Sequence, residues 1–290
     1  MISPRPFTVP MSGGLLALGG RTRIMGVLNV TPDSFSDGGA FLDADAAIAH
    51  GRQMAAHGAD LIDIGGESTR PGSDPTPPAE QIRRTVPVVA GLRSAGVTLP
   101  VSIDTQSAEV AEAVLAAGAN IVNDISALRS DPRMAACCAA RGAAVVLMHM
   151  QGTPRTMQQA PTYSDVVAEV TAFLAERIES VGRAGIDRAR IIVDPGIGFG
   201  KTYEHNLLLL RNLHALAALD QPILAGPSRK AFLGRITGES DPSRRDIATA
   251  AATALCAVQG AQIVRVHNVA MMRTIVNVCA AVTGITPPPP

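Results

Sequence analysis

At 290 residues the chain is longer than a typical domain yet within the range in which an α/β barrel runs as one domain, with ample length to bury a large core. Lys plus Arg and Asp plus Glu both number 25, so there is no basic field to recruit nucleic acid and no acidic tail, and a small-molecule partner is expected. The four cysteines, Cys137, Cys138, Cys256 and Cys279, form no C-x-x-C pair and are too few to staple a chain of this size, which argues against a disulfide framework or structural zinc and fits a reducing cytoplasm.

Residues 1–20 read as an N-terminal extension whose short apolar run, broken by paired glycines, is too brief for a signal-peptide core. No stretch reaches the ~18 uninterrupted apolar residues of a membrane span. From there the spacing predicts eight buried strands, at 24–28, 61–64, 101–103, 121–122, 144–148, 191–193, 223–225 and 263–266. A recurring phrase precedes four of them: Gly58-Ala59, Gly118-Ala119, Gly142-Ala143 and Gly260-Ala261, each a glycine suited to closing a helix followed by an unalternating apolar run suited to a parallel strand. Between strands the pattern is helical. Over 165–181, Val166, Val170, Phe173, Leu174, Ile178 and Val181 share one face; Val110, Val114 and Ala117 repeat the spacing, as do Ile247, Ala251, Ala254, Leu255 and Val258. Residues 285–290, ending in Pro287 to Pro290, read as a disordered proline tail. The expectation is an α/β fold, a single-domain (β/α)8 TIM barrel over 21–284 with its active site at the C-terminal ends of the strands.

Residues just after each strand therefore decide the chemistry. Asn29 follows the first, then TPDSFSDGG through Gly39; GGESTRPG from Gly65 follows the second, and Asp104 the third. Asn123-Asp124 end the fourth, His149 the fifth, Asp194 with PGIGFGK the sixth, Gly226 to Lys230 the seventh, and Arg265 and His267 the eighth. Any one of these alone reads as a helix cap or loop brace. Converging on one mouth, Asp104, Asn123 and Asp194 supply acceptors and an amide for a flat heterocycle with adjacent ring N–H and amino donors. Arg265, Lys230 and His267 supply positive charge for a phosphorylated substrate whose leaving group needs stabilising.

Two long stretches, MGVLNVTPDSFSDGG from Met25 and IDIGGESTRPG from Ile62, resemble the signature motifs of the dihydropteroate synthases. Shorter matches follow in order: SIDT ending at Thr105, NDIS at Asn123, LMHMQGTP at Leu147, DPGIGFGKT at Asp194, SRK at Ser228 and RVH at Arg265. The resemblance implies a transferase of folate biosynthesis, a sulfonamide target, that condenses 6-hydroxymethyl-7,8-dihydropterin pyrophosphate with para-aminobenzoate through an SN1-like pterin cation. It implies Mg2+ as cofactor, a homodimer, and a cytoplasmic location. By matching positions, Asp104, Asn123, Met148, Asp194, Lys230 and Arg265 are expected at the pterin, and Asn29, Arg265 and His267 at the pyrophosphate, with Asn29 also at the metal. Phe35, Thr69, Arg70, Pro71, Phe199 and Ser228 are expected at the aminobenzoate, and Asn29, Asp37, Lys230, Arg265 and His267 in catalysis.

Asn268 stands where the family's last motif usually has Asp, and Pro227 precedes SRK where a less rigid residue is common; the first removes a charge and the second fixes a backbone angle. Other prominent residues read as structural. His50, His57 and His214 suit surface or packing roles, His205 and Asn206 suit caps, and His149 a structural role. Asp63 and Glu67 suit bonds to their own loop, and the ten methionines suit core filling. Gly200-Lys201-Thr202 echoes a phosphate-binding loop, but Pro195 occupies the place of its required first glycine. Two further alternatives are a methyltetrahydrofolate-dependent corrinoid methyltransferase, which would not need STRPG, SRK or the Arg265–His267 pair, and a non-catalytic pterin-binding paralogue, which would have lost the leaving-group residues.

Overall fold

A strand that is apolar on both faces must be covered on both, and the eight expected runs lie in one parallel sheet of the computed structural model, which describes residues 5–31, 40–69 and 72–284, backbone alone at 40–43. In chain order the elements begin with β1 (Phe7–Met11), β2 (Gly14–Leu18), β3 (Arg23–Asn29), α1 (Ala40–Ala56), β4 (Leu61–Gly65) and α2 (Pro78–Ser94). They continue with β5 (Val101–Asp104), α3 (Ala108–Ala116), β6 (Ile121–Asp124), α4 (Met134–Arg141), β7 (Ala144–Met148), α5 (Val166–Arg183) and β8 (Ile191–Asp194). Last come α6 (Tyr203–Arg211), β9 (Leu224–Ala225), α7 (Ala231–Thr237), α8 (Asp246–Val258), β10 (Ile263–Val266) and α9 (Val269–Val282).

The sheet runs β8-β7-β6-β5-β4-β3-β10-β9 with neighbours parallel. Val193 forms a parallel bridge with Ile223, and its N–H donates to the Pro222 carbonyl at 2.9 Å, joining the last strand to the first around the barrel. Side chains alternate along each strand. Ile24, Leu28, Ile62, Ile64, Ile103, Val145 and Val193 face the helices in the main core. Met25, Leu61, Ile121, Val146, Ile192 and Ile263 fill the barrel's floor. Two residues further along the inward face of the same strands come Asp63, Asn123, Asp194 and Arg265, so one alternation builds both an apolar floor and a polar mouth.

The glycines of the recurring phrase, Gly58, Gly118, Gly142 and Gly260, all have positive φ, as the helix-closing reading requires. The 165–181 face is also as expected: Val166, Val170, Leu174, Ile178 and Val181 are buried, and the Asp165 carboxylate caps α5 by accepting from the N–H groups of Val167 and Ala168.

Two features differ from expectation. Within the extension, β1 and β2 form an antiparallel hairpin, pairing Phe7 with Leu18 through Met11 with Gly14, and Val9, Leu16 and Leu18 join the floor cluster. Residues 7–18 thus contribute to the barrel's core. On α8 the expected face is the wrong one. Thr249, Ala252, Thr253, Cys256 and Ala257 are buried, whereas Ile247 and Leu255 are 80% and 51% exposed. This helix is apolar nearly all round, so periodicity does not choose its face; its small residues lie inward, where they let the helix approach the sheet closely.

Candidate active site

Strand register sets the first row of the mouth. Asn29 pairs with Gly65, Gly65 with Asp104, and Asp104 with Asn123, so three polar side chains and one bare Cα lie side by side. A Cβ on Gly65 would stand 3.5 Å from Asn29 Oδ1 and 3.8 Å from Asp104 Cβ; the glycine keeps the space between them open. Met148 pairs with Asp194 on the far side.

Arg265 ties the row together. Its Nε donates to Asp63 Oδ2 at 2.6 Å and its Nη2 to Asp104 Oδ2 at 2.9 Å, while Asn123 Nδ2 donates to the same Asp63 oxygen at 3.1 Å. Asp63 is fully buried, and its Oδ1 has no hydrogen-bond partner among the described residues. The expectation that Asp63 bonds its own loop is therefore corrected: the side chain points across the barrel interior because residue 63 lies on the inward face of β4. Sequence reasoning missed this aspartate, although its inward parity, two residues after floor-facing Leu61, was visible. Glu67 does brace its loop, accepting from the Thr76 N–H at 2.8 Å and from Gln81 Nε2 at 3.4 Å, and burial raises its carboxyl.

Charge in this mouth is held under tension. Burial raises the Asp104 carboxyl; Arg265 opposes the shift, and nearby Asp63, Asp124 and Glu67 add to it. Asp194 is lifted to about 6 by burial, against the Gly196 N–H that donates to its Oδ1 at 2.7 Å and the charges of Lys230, Lys201 and Arg265. Lys230 is lowered to about 8 by burial and by Arg265, with Asp194 and Asp104 holding it up. Its Nζ lies 4.0 Å from the centroid of the Phe199 ring, a cation–π contact. Phe199 also packs with Met148, Met150, Met157 and Ile125, which places it beside the two expected pterin contacts Met148 and Lys230.

His267 is lowered to about 3, by burial first and then by Arg265, Arg229 and Lys230, so the ring is neutral at pH 7. Its backbone N–H donates to Ser228 Oγ at 3.3 Å, and Ser228 Oγ lies 2.9 Å from His267 Nδ1. The serine hydroxyl and Nδ1 of the neutral ring share one hydrogen bond in which either atom can donate, according to the histidine tautomer. Ser228, expected at the aminobenzoate, and His267, expected at the pyrophosphate, are thus bonded to each other.

Thr69 sits half-buried on the loop after β4. Phe35, Asp37, Arg70 and Pro71 lie outside the described residues. Of the residues read as structural, His205 forms a capping box with Thr202 on α6, whereas Asn206 instead accepts from the Gly198 N–H at 2.6 Å and so braces the loop after β8. His50, His57 and His214 are exposed. Lys201 is buried, its amine bonded to His149 and to the Phe199 carbonyl rather than standing free for a phosphate, which argues against the phosphate-loop alternative.

The family model described as pterin binding enzyme matches residues 25–267. A dihydropteroate synthase of Synechocystis sp. is 44% identical over 276 residues, 95% of this chain and 95% of that one. The chain belongs to the dihydropteroate synthase family. Among solved structures of the family, the Xanthomonas albilineans enzyme with 4-aminobenzoic acid superimposes with a TM-score of 0.89 at 46% identity, covering 98% of this chain and 100% of that one. The Yersinia pestis enzyme in complex with a sulfonamide drug gives 0.90 at 40% identity, covering 96% and 100%.

Within this family setting the departure at Asn268 has a local account. Asn268 Oδ1 caps α9 by accepting from the Met271 N–H at 3.1 Å, and its Nδ2 donates to Asp246 Oδ2 at 2.9 Å. Asp246 in turn holds Arg229 through two bonds of 2.8 and 3.1 Å. An aspartate at 268 would set a second carboxylate against Asp246; the amide supplies a donor and supports Arg229, whose backbone has the left-handed φ of 59° that bulky side chains avoid. Pro227 is buried at the start of this turn.

Proposed function

We propose that this mouth joins 6-hydroxymethyl-7,8-dihydropterin pyrophosphate to the amine of para-aminobenzoate, giving 7,8-dihydropteroate and pyrophosphate in folate biosynthesis. The observation that carries the reading is the convergence of Asp104, Asn123, Asp194, Lys230, Arg265 and His267 on one strand-end mouth of a barrel whose family is established. Asp194 and Asn123 meet the ring's donors and acceptors; a carboxylate already bonded once to Gly196 keeps lone pairs for more. Met148 covers an apolar face of the ring, and Phe199, expected at the aminobenzoate, stands beside it.

The C–O bond to pyrophosphate breaks first and its electron pair leaves with the phosphate oxygen; the carbon's positive charge spreads into the electron-rich pterin. The amine, neutral at pH 7, supplies its lone pair to form the C–N bond and then gives up a proton to pyrophosphate. No side chain has to act as a strong base. Arg265, and neutral His267 in the tautomer that carries its proton on Nε2, stabilise charge growing on the leaving group, while the carboxylates of Asp104 and Asp194 favour the cation. Asp63 holds Arg265 in place.

Among the described residues no cluster of His, Cys, Asp or Glu could hold a metal by itself. The donor set at the mouth's edge fits Mg2+ carried mainly by the substrate: Asn29 offers one hard carbonyl oxygen, and this ion characteristically takes one or two protein oxygens plus phosphates and water. Bound there by Asn29 and the diphosphate, Mg2+ would offset leaving-group charge.

The protein acts as a homodimer in the cytoplasm. The outward faces of the adjoining helices α8 and α9 support a second copy as the occupant of that surface: Ile247, Leu255, Val278 and Val282 are 80%, 51%, 57% and 64% exposed. Free thiols at all four cysteines support a reducing compartment.

Sulfonamides present an aromatic amine opposite an anionic group, as para-aminobenzoate does, so they are expected to inhibit competitively. Steady-state inhibition at several aminobenzoate concentrations checks this. Inhibition that added para-aminobenzoate fails to relieve would contradict the assigned site.

A further inference from the structure

Lys201 is a buried lysine to which the reaction as described gives no task; burial lowers its ammonium to about 7, with the Asp194 carboxylate opposing the shift and Lys230 adding to it. It is 3% exposed, and its ammonium meets three acceptors for its three protons: the Phe199 carbonyl at 2.9 Å, His149 Nδ1 at 3.0 Å and the His149 carbonyl at 3.3 Å. Those acceptors belong to two different segments. His149 follows β7, and Phe199 lies in the loop after β8.

The two segments are pressed backbone to backbone. A Cβ on Gly196 would stand 1.9 Å from the His149 carbonyl oxygen, and one on Gly200 would stand 2.5 Å from that of Gln151, so nothing larger than glycine fits at either contact. The Lys201 ammonium donates to carbonyls on both sides of this contact, that of His149 on one and that of Phe199 on the other. The same loop makes the mouth's inner wall. The Gly196 N–H donates to Asp194, a Cβ on Gly198 would stand 2.8 Å from Lys230 Cδ, and the Phe199 ring lies under Lys230 Nζ.

We infer that Lys201 is a positioning residue: by clamping the loop after β8 to the end of β7, it sets where Asp194, Phe199 and Lys230 stand when the heterocycle enters. This rests on the pterin reading of the mouth given above. His149 belongs to the same clamp. Its ring is fixed edge-on to Phe173, with centroids 4.8 Å apart, and Nδ1 accepts from the ammonium, so its proton is on Nε2. Tyr163 braces the loop from behind, its hydroxyl donating to the Gly200 carbonyl at 2.7 Å. A neutral donor would serve a merely structural joint; an ammonium also adds positive charge favouring ionised Asp194.

Lys201→Met in the full chain keeps the side chain's length and removes all three donors. Calorimetry with 6-hydroxymethylpterin should show affinity reduced about tenfold or more, and the KM for the pterin pyrophosphate should rise to match, a larger change than that in kcat or in the KM for para-aminobenzoate. Combined with Phe199→Leu, the affinity losses should multiply to less than the product of the single losses, because both changes act on one loop. Should Lys201→Met fail to fold, His149→Phe carries the test: it keeps an aromatic ring between Tyr163 and Phe173, removes one acceptor, and should weaken fragment binding about threefold or more. Native protein that binds the fragment beside a folded variant that binds it equally well overturns the inference and leaves the pterin reading standing. Native protein that binds no pterin fragment overturns both, and a variant that loses thermal stability alone, with its kinetic constants unchanged, shows a joint without a positioning role.

Discussion

At neutral pH Asp194 carries a charge that the folded chain holds at a cost, since burial lifts its carboxyl from an ordinary 3.8 to about 6. A carboxyl raised on folding binds protons more tightly in the native state, so stability is highest below about pH 4 as far as this group is concerned and falls as pH rises toward 6. The shift is worth at most about 3 kcal/mol. Asp194→Asn keeps an oxygen for the Gly196 N–H but removes the charge. It is expected to raise the melting temperature of the ligand-free protein at pH 8 while weakening pterin-fragment affinity by about 3 kcal/mol, because an amide N–H would face the ring's own donors. Calorimetry and thermal melts read the two effects separately, and an unchanged affinity would mean that Asp194 is not the pterin anchor. Residues such as Asp104, Asn123 and Asp194 were legible in the sequence because each directly ends a buried run. Asp63 was not, because its meaning depends on Arg265, 202 residues away, which only barrel closure brings within 2.6 Å.

Elements were legible where local chemistry was distinctive. The apolar stripe over 165–181 announces α5, and the Gly-Ala phrase announces four strands, because helical spacing and left-handed glycines act within a few residues. The hairpin of β1 and β2 went unread although Ser12-Gly13 suits its turn, since so short a pair is stable only against a surface that the sequence does not display. That surface is the barrel floor. Leu18, 4% exposed and packed into the floor cluster, lies at the opposite end of the strands from the mouth. Leu18→Ala is therefore expected to cost about 2–5 kcal/mol in urea unfolding while leaving pterin-fragment affinity unchanged. A native-like unfolding midpoint would show that the hairpin is not part of the core. Helix α8 failed for the opposite reason: its composition satisfies almost any face, so burial there is decided by how closely small side chains let it approach the sheet.

For the whole molecule, the fold class followed from counting strands and helices, while the proposed dimer contact uses a surface that sequence periodicity mistook for core. Ile247 and Leu255 on α8 are the residues in question, and turning both to glutamate places charge where a second copy would sit. Sedimentation is expected to show a dimer for the native chain and a monomer for Ile247→Glu with Leu255→Glu; an unchanged dimer would assign the contact to another face. The mouth was legible as a set because eight strand ends share one rim, and its charge balance was not, because the pull of Arg265 on Asp63 and Asp104 arises only inside the closed barrel. The most direct test of the function is to incubate the purified chain with 6-hydroxymethyl-7,8-dihydropterin pyrophosphate, para-aminobenzoate and Mg2+ and to follow both products. Dihydropteroate and pyrophosphate should form in equal amounts, and formation of neither with any divalent metal supplied would contradict the account.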